Sequence, residues 1–239
     1  MINTRTIRWI TEKEIRSFFN SPVAYIAITI FLLWVGWFFA SPIFLIQQVT
    51  INHMLENIPL ILVFITPAIT MRLMAEEYKL GTIETLSIQP IEDHEIIIGK
   101  YCAAVFLLSV AILGSLIHPI SLMFLGEVDW GQVVSSYIGL LLMGSAFASV
   151  GLFASSLTRN QIIAWLTGMF LCFIFFLVGK ILIIVPGFIR PIVDFIGMDS
   201  HFENFAKGVI DTRDVLYFAS IIIVFVYASL LVVVNKRWR

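Results

Sequence analysis

Long apolar runs constrain the fold of this chain more than any other feature of its sequence. Five runs each supply the roughly 20 helical residues that about 30 Å of hydrocarbon requires, and a sixth run contains Pro59 and Pro67. Those prolines predict a short, kinked span. Charged residues make up only 13% of the chain, about half the usual share in a soluble protein. The sequence therefore predicts an all-α, polytopic membrane protein with six transmembrane helices, at residues 22–46, 54–74, 96–125, 133–157, 162–185 and 215–234.

Lys and Arg residues divide unevenly between the two ends of the predicted bundle. Six spans place both termini on one side, which receives eleven of the 15 basic residues, against four on the other side. The positive-inside rule therefore predicts cytoplasmic N- and C-termini. The eleven are Arg5, Arg8, Lys13, Arg16, Arg72, Lys79, Lys100, Arg159, Lys236, Arg237 and Arg239; the four are Lys180, Arg190, Lys207 and Arg213.

The residues before the first span have the pattern of an amphipathic helix. From Thr4 to Phe19, apolar side chains recur on one helical face that ends at Phe18, and Trp9 suits a membrane interface. Glu14 falls among the apolar positions, so either it has a partner elsewhere or its carboxylate reaches the helix edge. We therefore divide the chain into a cytoplasmic interfacial helix, 1–21, which contacts membrane lipid, and a six-helix transmembrane domain, 22–239.

The segment between the second and third spans is highly charged. Nine Lys, Arg, Asp or Glu residues occur in the 29 residues from Arg72 to Lys100, too many for a membrane crossing. Gly81 is predicted to end the helix that continues from the second span, and Thr82 to Ile88 to form a short further helix. Residues 75–95 are either an ordinary solvated loop or a docking element for a soluble partner.

Small residues recur in the fourth span at intervals of four. Gly144 and Ala148 form one such pair, and Gly151 and Ser155 another. This spacing predicts close packing, against another helix of this chain or against a second subunit.

The turn after the fourth span carries a predicted helix start. Thr158 and Gln161 have capping-box spacing for the fifth span.

The segment 186–214 is too polar to cross a membrane and too apolar to lie free in water. It predicts short helices at the outer membrane surface, forming either a packed cap or an outer gate or contact site for another protein. Its apolar residues at roughly helical spacing are Phe188, Ile192, Phe195, Ile196, Phe202, Phe205, Val209 and Ile210.

Motifs for covalent chemistry are absent from the sequence. Without a G-x-x-x-x-G-K-[ST] phosphate loop, any ATP-driven work needs another chain. The four histidines lack metal-ligand spacing, and no nucleophile, base and orienting group can be assembled, so we expect no metal site and no enzyme activity. A formal net charge of −1 gives no electrostatic case for a nucleic-acid partner. Uncharged span centres count against an ion-coupled carrier or a charge-ring channel.

Four stretches carry a family resemblance that covers essentially the whole chain: SFFNSPVAY (Ser17 to Tyr25), PAITMRLMAEEYKLGTIETL (Pro67 to Leu86), GLFASSLTRNQ (Gly151 to Gln161) and HFENFAKGVIDTRDVLYF (His201 to Phe218). With them, the chain resembles the permease subunits of ABC-2 type exporters. Within that family, the chain is most similar to the branch that contains gliding-motility-associated permeases and the nitrous-oxide-reductase maturation permease. The fold implied is the ABC-2, or type V exporter-like, transmembrane domain.

The resemblance implies a function and partners. It implies a subunit that couples ATP hydrolysis by a separate ABC ATPase dimer to export across the bacterial cytoplasmic (inner) membrane. The second permease is either this chain or a gliding-type permease with a large outer domain. No cofactor is expected in this chain, because ATP and Mg bind the partner ATPase. The loop after the second span is then a coupling helix, with ATPase contacts at Glu76, Glu77, Gly81, Thr82, Glu84 and Leu86.

Two other functions remain open from the sequence. One is a non-transporting membrane anchor that passes ATPase work to an extracytoplasmic complex. The other is an ATP-independent channel or carrier. Span centres without charge permit lipids, glycans, hydrophobic molecules or peptides as the cargo.

Overall fold

The computed structural model describes residues 4–45, 51–81, 91–124, 128–181 and 190–237, and within these ranges the chain is helical and contains no β-strand. The helices are α1 (Thr4–Asn20), α2 (Pro22–Leu45), α3 (Asn52–Thr70), α4 (Arg72–Leu80), α5 (Asp93–Gly114), α6 (Ile117–Leu122), α7 (Trp130–Leu157), α8 (Gln161–Lys180), α9 (Arg190–Ile196), α10 (Met198–Ala206) and α11 (Thr212–Arg237).

The described residues contain six helical stretches that are long and apolar enough to cross a membrane, which confirms the predicted number. Span 2 combines α3 and α4, and span 3 combines α5 and α6. The predicted span ends at 46, 125 and 185 lie outside the described residues. We number the stretches as spans 1 to 6 in chain order: Pro22–Phe44, Asn52–Leu80, Asp93–Leu122, Trp130–Leu157, Gln161–Lys180 and Thr212–Lys236.

Burial separates the spans into a centre and a periphery. In spans 2 and 4, 72% of the most apolar window is buried, against 22% in spans 1, 5 and 6. The peripheral spans therefore present apolar side chains outward, as contact with lipid requires, because lipid-exposed backbone must be helical and its side chains apolar. Large exposed apolar side chains on these spans include Leu33, Trp37, Phe170, Ile223 and Leu231.

The helix before span 1 is α1, as its amphipathic pattern predicted. Ile10 and Phe18 on its apolar face are buried, and the helix packs against α5. The approach is close because Gly99 on α5 has no side chain: a Cβ atom there would lie 2.8 Å from Cγ2 of Ile10. The Thr11 hydroxyl also lies 3.1 Å from the Gly99 carbonyl oxygen. This end of the bundle, where α1 and the last turns of α11 lie, is named the terminal end.

Span 2 reaches the terminal end as two consecutive helices, α3 and α4, and its 29 residues show that the predicted short span is wrong in length. Its two prolines lie inside α3, and the junction residue Met71 keeps a helical φ of −54°. The helix ends at Gly81, whose φ of +70° favours glycine, and this confirms the predicted stop. Residues 75–80 of the segment predicted as a connection are therefore helical.

The small residues of span 4 pack against helices of this chain. A Cβ atom at Gly151 would overlap the Thr70 hydroxyl on α3, and a Cβ at Gly144 would touch Ile112 on α5. Ala148 is fully buried. The packing partner left open by the sequence is thus span 2 of the same chain, with span 3 beside it.

The start of α8 corrects one expectation from the sequence. The residue that caps α8 is Asn160, whose side-chain oxygen accepts a hydrogen bond from the Ile162 N–H at 2.9 Å. The Thr158 hydroxyl instead accepts from the Asn160 N–H at 3.1 Å, so Thr158 and Gln161 do not form the predicted capping box. An Asn side chain directly before the helix reaches the free N–H groups, whereas Thr158 shapes the turn before it.

Two short helices, α9 and α10, cover the opposite end of the bundle, named the distal end. Short helices were predicted here, and α9 and α10 confirm them. Phe205 of α10 is fully buried against Gly139 of α7, where a Cβ would lie 2.6 Å from Cβ of Phe205. Of the apolar residues predicted to pack in the segment 186–214, Phe188 lies outside the described residues, and the side chain of Ile192 is not described.

Candidate functional site

A buried lysine joins three separate helices at the terminal end. Lys100, near the start of α5, exposes 2% of its side chain. Its Nζ lies 2.8 Å from Oε1 of Glu14 on α1 and 2.8 Å from Oε1 of Glu77 on α4. A buried ammonium group is costly unless it is paired, so the two carboxylates and the lysine hold each other in place. We name these three side chains the Lys100 cluster.

The Lys100 cluster answers the question that the position of Glu14 raised. Glu14 can lie on the apolar face of α1 because its carboxylate oxygen accepts a hydrogen bond from Lys100 Nζ at 2.8 Å. The signal in the sequence was the lysine itself, which stands a few residues inside a predicted span. A charge at such a position needs a partner.

A second ion pair connects α4 to the junction between α1 and span 1. The Arg72 Nε donates to Oε2 of Glu76 at 2.8 Å, one helical turn away. The Nη1 of the same arginine donates to the Ser21 hydroxyl oxygen at 2.9 Å. The planar guanidinium group therefore bridges α4 and the residue just before span 1.

The hydroxyl of Ser155 is inserted at the α3–α4 junction. Its Oγ accepts from the N–H groups of Met74 and Ala75, both at 3.1 Å, and donates to the Met71 carbonyl at 2.9 Å. An uninterrupted helix would join the Ala75 N–H to the Met71 carbonyl directly, so this side chain links span 4 into the backbone of span 2. Sequence spacing predicted Ser155 as a packing residue, and its hydrogen bonds were not foreseen.

Lys236, at the end of span 6, completes the contacts around α4. Its Nζ donates hydrogen bonds at 2.8 and 3.0 Å to the carbonyl oxygens of Ser156 and Leu157, the last two residues of α7. The same Nζ lies 4.3 Å from the centre of the Tyr78 ring on α4. A lysine at a helix C-terminus satisfies free carbonyl groups and favours the negative end of the helix dipole.

Together these contacts join α4 to several neighbouring elements of the terminal end. It is joined to α1 and α5 by the Lys100 cluster, to span 4 by Ser155, to the start of span 1 by Arg72, and to span 6 by Lys236. A displacement applied where α4 ends, at Gly81, is therefore passed to several spans.

The predicted ATPase-contact residues divide into two groups. Glu76 and Glu77 lie on α4, each in an ion pair, and Gly81 ends that helix. Thr82, Glu84 and Leu86 lie outside the described residues, so their predicted roles stay predictions.

Of the predicted interfacial residues, Trp9 is 55% exposed and Phe18 is buried in the core. Sequence reasoning did not single out Lys100, Tyr78 or Lys236, which supply much of the connectivity around α4.

A polar cluster also stabilises the distal end. The Asp214 carboxylate lies 2.6 Å from Nδ1 of His201 and accepts from the Asn204 amide at 2.8 Å. The His201 ring stacks on Tyr217 at 3.9 Å between centroids, and the Tyr217 hydroxyl donates to the Ile196 carbonyl at 2.5 Å. These contacts join α9 and α10 to the start of span 6. This part of the predicted cap is therefore packed.

A cavity of about 350 Å³ opens beside α10. Its charges are largely paired: Lys180 lies 2.7 Å from Asp199, and Lys207 lies 3.2 Å from Glu203. Burial raises the pKa of Asp199 above its ordinary value, and the neighbouring Lys180 opposes this rise. Within the described ranges, no group of three or more His, Cys, Asp or Glu side chains could hold a metal ion.

No known protein-family model matches this sequence, and no curated protein is significantly similar to it. The fold itself defines a class: a multi-pass, α-helical membrane protein with six spanning helices among its described residues. The ion pairs and hydrogen bonds of the terminal end converge on α4.

Proposed function

We propose that this chain is the transmembrane permease subunit of an ATP-binding-cassette exporter in the bacterial cytoplasmic membrane. The terminal end faces the cytoplasm, where the positive-inside rule puts the end with eleven of the 15 basic residues. A separate ATPase pair binds and hydrolyses ATP with Mg, and the permease performs no covalent chemistry. The second permease is another copy of this chain or a related chain with a large outer domain.

The observation that carries the proposal is the connection of α4 to its surroundings. The helix continues span 2 to Gly81, and the charged residues that follow it belong to the segment for which the family resemblance implies ATPase contact. Because α4 is joined to α1 and α5 through the Lys100 cluster, a movement of this segment displaces three elements together. Ser155 passes the same displacement to span 4.

Within this proposal the residues have different roles. Glu84, Thr82 and Leu86 contact the ATPase, while Glu77 is a positioning residue because its carboxylate is directed at Lys100. Coupling requires that nucleotide and substrate favour different arrangements of the spans, and the coupling is reciprocal in binding free energy.

The first experiment is mass spectrometry of the proteins that co-purify with this chain after gentle extraction from its native membrane. We expect a soluble chain with a Walker phosphate loop, and any second permease in the sample defines the dimer. Recovery of this chain alone, reproducibly and in a lipid-preserving extract, would instead favour an autonomous channel or carrier.

A charge reversal tests the ATPase contact itself. We expect Glu84→Arg to reduce ATPase association or to uncouple hydrolysis from transport. Glu203→Arg is the matched control, because it makes the same charge change in an exposed pair at the distal end. Unchanged assembly and transport in Glu84→Arg would remove this contact from the proposal.

Reconstitution separates export from force transmission. Substrate-stimulated ATP hydrolysis in vesicles supports export. Stimulation only by an extracytoplasmic protein points to the membrane anchor, and flux through vesicles that contain this chain alone points to a channel or carrier.

A further inference from the structure

A basic groove of about 670 Å³ lies at the terminal end, where α1 meets span 1 and α4. Its volume falls within the range of small-molecule sites, about 300 to 1,000 Å³. Hydroxyl, amide, ammonium and guanidinium groups line it, together with one carboxylate and one indole ring. The lining includes Trp9, Lys13, Arg16, Ser17, Ser21 and Arg72.

Two of the three basic side chains in the groove lining have no carboxylate partner among the described residues, whereas the third, Arg72, is paired with Glu76. Lys13 and Arg16 are exposed, and the structure gives neither of them an ion pair or hydrogen bond with another described residue. The acidic residue in the lining, Glu12, is already paired with Arg8 at 3.0 Å. Two unpaired cations therefore face a space large enough for an anionic group.

The position of the groove along the bundle indicates which anion it meets. Span 1 begins at Pro22, directly after the lining residue Ser21, so the groove lies where the hydrocarbon-spanning part of the chain starts. Trp9 in its wall is 55% exposed, and indole rings concentrate at the level of lipid headgroups. Basic pockets between membrane helices bind anionic headgroups at this depth.

We propose that this groove binds the phosphate headgroup of an anionic phospholipid. Arginine and lysine supply the charge that a phosphate diester needs, and the Ser17 hydroxyl can donate a further hydrogen bond. Because Arg72 belongs to α4 and the other cations to α1, an occupied groove links these two helices from the lipid side. The inference rests on membrane insertion and does not depend on the exporter function.

The test is native mass spectrometry of the delipidated full chain, titrated with phosphatidylglycerol and with phosphatidylcholine of the same acyl chains. We expect tighter binding of phosphatidylglycerol. The double variant Lys13→Gln/Arg16→Gln should weaken that binding about 30-fold, which is about 2 kcal/mol, since each basic residue near an anionic surface contributes about 1 kcal/mol. Both residues are exposed, so the fold is retained.

The matched control is Lys79→Gln/Arg159→Gln, which removes two charges from exposed side chains of the terminal end outside the groove lining. Binding within about 3-fold of wild type is expected there, whereas an equal loss in both double variants would show that only the overall charge of the terminal end matters. Equal affinity of wild type for the two lipids would overturn the site. Displacement of the lipid by an equal concentration of inorganic phosphate would overturn the lipid as its occupant.

Discussion

Replacing the buried lysine of the Lys100 cluster tests the connection on which force transmission depends. Lys100→Met keeps the length of the side chain but removes its charge. The carboxylates of Glu14 and Glu77, which expose only 15% and 13% of their side chains, then face each other without a cation. Because both carboxylates approach the same Nζ, they lie close enough to repel each other, and both carboxylates remain largely desolvated.

The size of the effect follows from this burial. Removing one partner of a buried ion pair costs about 3 to 5 kcal/mol, whereas breaking an exposed pair costs about 0 to 1 kcal/mol. For a chain of this size, about 2 to 4 °C per kcal/mol gives a fall of about 6 to 20 °C in Tm. Neutralising the carboxylates as well, in Lys100→Met with Glu14→Gln and Glu77→Gln, should recover most of the loss because no uncompensated charge remains.

Thermal unfolding of the detergent-purified variants, followed by intrinsic fluorescence, measures these differences. Lys207→Met is the control, because its pair with Glu203 is 67% and 56% exposed. A Lys100→Met variant no less stable than Lys207→Met would refute the reasoning. A triple variant less stable than Lys100→Met alone would also refute it, because the loss of stability in Lys100→Met could not then come from unpaired carboxylates.

Three further predictions concern packing, hydrogen bonding and pH, all measured by the same unfolding assay. Gly151→Ala should cost about 1 to 3 kcal/mol by overlap with Thr70, whereas Gly114→Ala, with its nearest contact at 3.6 Å, should be near neutral. Ser155→Ala should cost about 1 to 3 kcal/mol, because it removes the acceptor for two buried N–H groups; no loss would contradict the inserted hydroxyl. Burial raises the pKa of Asp199, so protonated Asp199 contributes stability that is complete below about pH 4 and is lost as pH rises through the folded-state pKa. Asp199→Asn should therefore flatten this fall in stability with rising pH.

The features predicted from sequence are those that local patterns determine. Span number follows from apolar run length, α1 from its 3.6-residue period, and the end of α4 from a glycine that can adopt positive φ. The close packing of span 4 followed from its small residues, since Gly151 leaves room for another helix.

Contacts between distant residues could not be predicted in this way. Glu14 and Lys100 are 86 positions apart, and their pairing depends on how α1 docks against α5. The hydroxyl of Ser155 forms hydrogen bonds with span 2 only because Gly151, one turn earlier, lets the two helices approach. At the start of α8, Asn160 and Thr158 are both capable of capping, and only the backbone path decides between them.

The most direct test of the proposed function is site-specific photo-crosslinking from position 84 in the native membrane. A photoreactive residue replacing Glu84 should crosslink to a soluble chain that contains a Walker phosphate loop, and the same probe replacing Glu203 at the distal end should not. Crosslinking of position 84 only to lipid or to this chain, with the protein shown to be intact and inserted, would contradict an ATPase-driven permease.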